Sequence, residues 1–293
     1  MNSELIGMTA ALGSAASWAL GSVLFRRLGD DIPPVSLTFA KGIAGIVLLG
    51  IVVLLVGFAP LDNQTLILLI ASGLLGIALG DTLFFMALNN LGAHAVVILF
   101  TLGQLLTVFM GICWLGETPS LSDWAGIGAI LSGVTIVMWS KISGPEGHTR
   151  LIGLLYGLLA ISAMASSIII AKQALEIADS IQATFIRMLA GTCGIFLFGQ
   201  LTGRLIQGLS ALRKPSLFGF FLLSVAVVTF GGFWLSLLAI DNIDVSIANT
   251  LNATEPLFVL PLAASVLKER ITRVVVAGAM LTFIGILLII APW

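Results

Sequence analysis

The sequence predicts an all-α membrane protein with ten transmembrane helices arranged as two inverted five-helix repeats. Three observations carry that expectation: a charge-poor composition, apolar runs as long as a bilayer is thick, and a register in which one half of the chain matches the other. Of 293 residues, 59% are hydrophobic and 9% charged, whereas a soluble domain holds about 45–50% apolar and about 25% charged residues. Thirteen basic and 14 acidic side chains are too few to wet a water-soluble fold of this length. With lipid as solvent the backbone must satisfy its own hydrogen bonds, which leaves helices or a closed barrel. Barrel strands alternate over about ten residues. This chain stays apolar for about twenty at a time, the length of a helix crossing a core about 30 Å thick.

Apolar runs between charged or turn-forming clusters give the expected spans in order: Leu5–Phe25, Val35–Gly57, Thr65–Leu88, Ala93–Leu115, Trp124–Ser140, Leu151–Ala171, Ile181–Gly203, Leu217–Ile240, Val245–Leu267 and Val274–Trp293. The first has no Lys or Arg before it and is too long for a signal-peptide core, so it reads as a retained span. Separators such as RRLGDDIPP (26–34), KISGPEGHTR (141–150) and KERITR (268–273) are short. Trp114, Trp124, Trp139 and Trp293 fall near span ends, where amphipathic rings prefer the interface.

A shift of 146 residues lays Leu5-Ile6-Gly7 on Leu151-Ile152-Gly153, Thr38-Phe39 on Thr184-Phe185, Lys41 on Arg187 and Ala44-Gly45 on Ala190-Gly191. A longer segment at 204–216 then moves the register to 152. That register matches Gly80 with Gly232, Ala87 with Ala239, Asn90 with Asn242, Leu115 with Leu267, Glu117 with Glu269, Gly126 with Gly278 and Gly133 with Gly285. Rare charged and amide positions held in register mark a duplication. The halves are residues 1–140 and 151–293, joined by a linker at 141–150. Five spans is an odd number, so the second copy enters the membrane upside down. Such halves form two nearly equivalent conformations around a midplane site, the geometry of alternating access.

The loops after spans one, three, five, seven and nine carry Arg26, Arg27, Lys141, Arg150, Arg204, Arg213, Lys214, Lys268, Arg270 and Arg273; the opposite side carries Lys172. The positive-inside rule puts the basic side in the cytoplasm, so both termini are expected on the non-cytoplasmic side of a multi-pass protein of the cell (inner) membrane. A net charge of −1, with no basic stripe, excludes nucleic acid as a partner.

The segment WLGETPSLSDWAGIGAILSGVTIV and its second-half counterpart NATEPLFVLPLAASVLKERITRVVVAGAMLTFIGILLI resemble the signature of the EamA family, within the drug/metabolite transporter superfamily. SWALGSVLFRR and GLLGIALGDTLFFMALNNLGA resemble its pattern in spans one and three, so the likeness covers essentially the whole chain. The resemblance implies a secondary transporter of small metabolites, often amino acids or related solutes, frequently moved outward. Two features depart from the family. Gln104 stands in the first half where the second has Pro256, and the charge bias opposes the cytoplasmic termini usual among its members.

An ionisable group inside the bilayer costs roughly 2.5–3.5 kcal/mol on insertion scales, which makes each one a candidate functional residue. Lys41 and Asp81 lie about seven residues from the same membrane face on antiparallel spans, hence about 10 Å deep, and can pair. Arg187 and Glu255 repeat the logic from the opposite face. These four either handle substrate or protons, or neutralise one another and lock packing. Asn249, Asn252 and Glu255 share a helix face, and Pro256 frees the carbonyl of Asn252 and can bend the helix. Thr101, Gln104 and Thr107 form a weaker first-half version. The amides either meet a hydrogen-bonding solute or glue helices together. Trp18 and Trp234 lie deep enough to line a cavity or gate it, or to fill core.

Cys113 and Cys193 read as small buried hydrophobes, His94 and His148 receive no role, and Glu117 and Glu269 read as residues that fix loops. No catalytic residue, metal site or cofactor is expected: the spans show no zinc-binding His-Glu pair, Gly-Asp aspartate pair or Ser/His couple, and the chain has no nucleotide-binding glycine loop. The expected partners are a small-molecule substrate, the lipid bilayer and, as coupling ion, protons taken up by Asp81 or Glu255. A monomer suffices, with the oligomeric state open. A channel or scaffold is the alternative function, and an intramembrane enzyme the next.

Overall fold

The structure, a computed structural model, describes residues 3–103, 106, 121–142, 147–243, 248, 251–252, 254–268 and 271–290. Its helices are α1 (Ser3–Leu28), α2 (Pro34–Val56), α3 (Asn63–Leu91), α4 (Ala93–Phe100), α5 (Leu121–Ile142), α6 (Gly147–Ala174), α7 (Ser180–Thr202), α8 (Pro215–Asn242), α9 (Glu255–Val266) and α10 (Arg273–Ile290). Six of them, α1–α3 and α6–α8, are long and apolar enough to cross a bilayer by length and composition. Shorter apolar helices occupy Trp124–Val137, Glu255–Val266 and Arg273–Gly285.

The surface is inside out relative to a protein in water. Leu201 is 88% exposed and Leu54 85%, while Lys41, Asp81, Arg187, Ser14, Ser72 and Ser167 are buried. Apolar side chains outward and polar ones inward is the arrangement that lipid selects. Cys193 is exposed on this outer surface rather than buried. Cys113 lies outside the described residues.

Local chemistry sets the helix ends. Asp62 caps α3, accepting from the backbone N–H of Gln64 at 3.0 Å and Thr65 at 3.3 Å, with its other oxygen on the Thr65 hydroxyl. That hydroxyl bond, before the backbone ones, holds the Asp62 carboxyl below its ordinary pKa. Asp179 caps α7 through the Ile181 N–H at 2.8 Å. Gly57 (φ 103°) and Gly203 (φ 64°) end α2 and α7 in conformations that glycine adopts without a Cβ penalty, and they are repeat equivalents at the 146-residue shift.

The two halves pack through contacts that exchange symmetrically. Helix α1 lies on α8 and α6 on α3; α2 meets α7, α5 meets α10, α9 lies on α1 and α4 on α6. Swapping each helix for its repeat partner maps this set onto itself. The same holds for single residues. A β-carbon on Gly7 would lie 2.6 Å from Ile243 and 3.2 Å from Asn242; one on Gly153 would lie 2.6 Å from Asn90 and 3.0 Å from Leu91. Close approach of this kind is what small residues permit between membrane helices.

One feature escapes the hydrophobic pattern. The turns Leu74–Asp81 in α3 and Val227–Trp234 in α8 are π-helical, and they occupy equivalent places in the two repeats to within one residue. A π-turn bonds i to i+5, widens the helix locally, and is frequent at functional sites. Here it sits in the middle of both long helices that face the opposite half.

Candidate functional site: a buried charged centre between the halves

Lys41 projects from α2 and Asp81 closes the π-helical turn of α3. Their side chains meet: Lys41 Nζ donates to Asp81 Oδ2, and both residues are at most 1% exposed. The ammonium also lies 4.7 Å from the centre of the Phe233 ring and 5.4 Å from that of Phe85, positions in which ring quadrupoles attract a cation. Trp18 stands edge-on to Phe233 with centroids 4.9 Å apart, and to Phe84 at 6.5 Å. Two helices of the first half thus supply the ion pair, and α8 of the second half supplies the wall behind it.

Arg187 comes from α7, and its surroundings differ from the expected ones. No ion pair joins it to Glu255. Its Nη2 donates to Ser167 Oγ at 3.0 Å, and the acid whose charge acts on it is Asp81. Ser167 is itself fixed against α3: its hydroxyl donates to the Ser72 carbonyl at 2.7 Å, and the Ser72 hydroxyl returns a bond of 2.7 Å to the Ser167 carbonyl. Glu255 and Asn252 sit on and just before α9, which packs on α1 and α4. Pro256 occupies the first turn of α9, where its missing N–H is harmless. Helical backbone at Leu251 and Asn252 gives way to a turn at Thr254, so Pro256 stands just after a break between two helical stretches, and Pro261 lies inside α9. Gln104 and Asn249 lie outside the described residues.

Buried polar atoms almost always find partners. Among the described residues, those left without one include Asp81 Oδ1, Arg187 Nε, Thr229 Oγ1 and Asn252 Oδ1. Two belong to the charged centre, and Thr229 lies in the π-helical turn of α8, where a β-carbon on Gly45 would be 3.2 Å from its hydroxyl. Trp234 stands 6.4 Å from Phe230, edge-on. With Val52, Val56, Ile181 and Leu238 these rings line a crevice of about 490 Å³ between α2, α7 and α8, with Asp179 and Ser180 also on its wall. Sequence reasoning gives no site role to Ser72, Ser167, Thr229, Phe85 or Phe233; the signals present are Ser167 within the small-residue face of span six and Phe233 as the repeat equivalent of Asp81.

Besides the Ser72–Ser167 pair, the halves are joined by a hydrogen bond toward each end of the bundle. The Ser36 hydroxyl donates to the Arg204 carbonyl at 2.8 Å, and Gln182 Nε2 donates to the Ala59 carbonyl at 2.7 Å. Ser36 and Gln182 are repeat equivalents at the 146-residue shift, and Arg204 corresponds to Phe58, next to Ala59. The first contact is reinforced by the segment that lengthens the second half. There Gly208 (φ 73°) packs against Asp31 and Ile32, and a short 3-10 turn at Leu209–Arg213 follows. With both contacts made, the charged centre is occluded.

A solved structure described as a crystal structure of a protein superposes with a TM-score of 0.61 at 17% identity, covering 98% of this chain and 95% of that one. At that identity it speaks for the fold alone. A search of curated proteins finds no match. The model of the EamA-like transporter family matches twice, over residues 5–139 and 151–291. Two consecutive matches that together cover nearly the whole sequence agree with the symmetric packing of the helices, and the chain belongs to the EamA-like transporter family.

Proposed function

We propose that this protein is a secondary transporter, an exporter of small polar metabolites such as amino acids, that works by alternating access about the centre formed by Lys41, Asp81 and Arg187. The observation that carries the reading is the pair of repeat-equivalent contacts, Ser36 to Arg204 and Gln182 to Ala59. Matching seals in two repeat-related halves let either end open while the other stays closed. A channel needs no such pairing. Residues 1–140 and 151–293 are then the moving halves, and residues 141–150 the tether. Trp18 and Trp234 line the passage, while Gln104, Asn249, Asn252, Glu255 and Pro256 form its amide-bearing wall.

Protons are the coupling ion in this account, carried by Asp81 as it leaves Lys41. In proteoliposomes, efflux of a labelled amino acid is expected to rise when a pH gradient is imposed; unchanged rates would remove the coupling and keep the transporter. The basic loops after the odd spans put both termini outside the cytoplasm. With a membrane-impermeant thiol reagent on intact cells, Asp62→Cys is expected to label and Arg26→Cys to stay unlabelled. The reverse pattern would turn the protein over.

A further inference from the structure

The duplicated halves hold unequal sets of buried charges. The 146-residue shift lays Lys41 on Arg187, so the cation is written twice; the 152-residue shift lays Asp81 on Phe233, so the acid is written once. The fold brings all four together. Lys41 bonds Asp81 and faces the Phe233 ring at 4.7 Å. Arg187, 3% exposed, feels the Asp81 charge. Its guanidinium reaches the same helix: a β-carbon on Gly76, five residues before Asp81 in the same π-helical stretch, would lie 3.5 Å from Arg187 Nη2.

The charge of this cluster does not depend on where the shared proton sits. Whether it is on Lys41 or on Asp81, the pair is neutral. A guanidinium stays protonated in proteins. Among the described residues the centre therefore holds one uncompensated positive charge, away from water, and buried charges require partners. Glu255 does not supply one, since it makes no ion pair with Arg187. Two atoms of the cluster are also unpartnered and point to what is missing: the donor Arg187 Nε and the acceptor Asp81 Oδ1.

Resting on the transporter reading above, we infer that the solute bound at this centre is a small organic acid of net charge −1. Its carboxylate pairs with Arg187, and a hydroxyl or ammonium group of the same molecule donates to Asp81 Oδ1. Hydroxy acids and acidic amino acids meet that description. Neutral zwitterions leave the positive charge standing, and amines add to it.

The test uses the purified full-length protein, with thermal unfolding and proteoliposome flux measured for glycolate, glutamate, serine and ethanolamine at equal ionic strength. Glycolate and glutamate are expected to stabilise the wild type and to be moved, serine weakly and ethanolamine not at all. Arg187→Lys keeps the charge without the planar fork, so it retains the preference for anions with affinity about tenfold weaker. Arg187→Gln makes the centre neutral, and serine then exceeds glutamate. A wild type that binds serine or ethanolamine as well as the two anions overturns the charge assignment and leaves the transporter intact. An Arg187→Gln protein that folds and still prefers glutamate also overturns it. Stabilisation and flux absent for all four solutes count against both readings.

Discussion

Asp81→Asn is expected to destabilise the protein more than Lys41→Met does, although the two substitutions break the same ion pair. Removing one partner of a buried pair costs about 3–5 kcal/mol because the other charge is left uncompensated. The two cases differ in what remains. With Lys41 gone, Asp81 still has Arg187 within electrostatic reach, so part of the loss is recovered. With Asp81 gone, two buried cations face each other with no acid between them, and the full cost is felt. The double variant Lys41→Met/Asp81→Leu removes both charges, and its stability should return close to that of the wild type, since apolar replacements of buried pairs are often neutral or better. Unfolding of the detergent-solubilised variants orders them: wild type and double variant highest, Lys41→Met next, Asp81→Asn lowest. Equal losses for the two single variants would show that Arg187 does not belong to the centre.

Gly133→Leu is expected to separate α5 from α10, while Gly128→Leu on the same helix does nothing. A β-carbon at Gly133 would lie 2.5 Å from the Gly278 carbonyl oxygen and 2.8 Å from the Thr282 nitrogen, whereas at Gly128 it meets nothing within 4 Å. The obstacle at Gly133 is backbone, which cannot swing aside as a side chain can. Overpacking costs about 1–3 kcal/mol even where side chains can shift. An exposed position of this kind changes stability by only about ±0.5 kcal/mol. A β-carbon on Gly285, the repeat equivalent of Gly133, would lie 2.6 Å from the Gly126 carbonyl oxygen in the same sense. Gly285→Leu should therefore lose as much stability as Gly133→Leu, which thermal unfolding of the two variants checks. A large loss for one and none for the other would mean that this interface does not obey the exchange of halves.

Depth along a helix is legible in a sequence, and rotation about its axis is much less so. Counting residues from the loop-one face placed Lys41 and Asp81 at one level, and they meet. The same count brought Arg187 toward Glu255, yet α7 turns its guanidinium to Ser167 and the Asp81 side. No apolar period fixes that rotation in a chain whose surface and interior are both largely hydrophobic. Pro256 reads as a bend in a continuous helix, whereas among the described residues Leu251 and Asn252 are helical, Thr254 is a turn and α9 begins at Glu255. The π-helical turns of α3 and α8 leave no mark in hydropathy; only the glycines in LLGIALGD and VVTFGGFW hint at them. The extra residues at 204–216 were visible as a change of register, while their packing on the first loop needed the fold. The duplication was legible because rare residues, such as Asn90 with Asn242, survived in register.

Distances measured across both ends during turnover bear most directly on the whole account. One spin-label pair is Asp30→Cys/Arg204→Cys; the other, its repeat equivalent, is Glu176→Cys/Phe58→Cys, each in a protein whose native cysteines are serine. Alternating access between two inverted halves predicts two distances for each pair, with the long one at one end accompanied by the short one at the other as substrate and gradient are varied. A single unchanging distance at both ends, or both ends opening together, would contradict it.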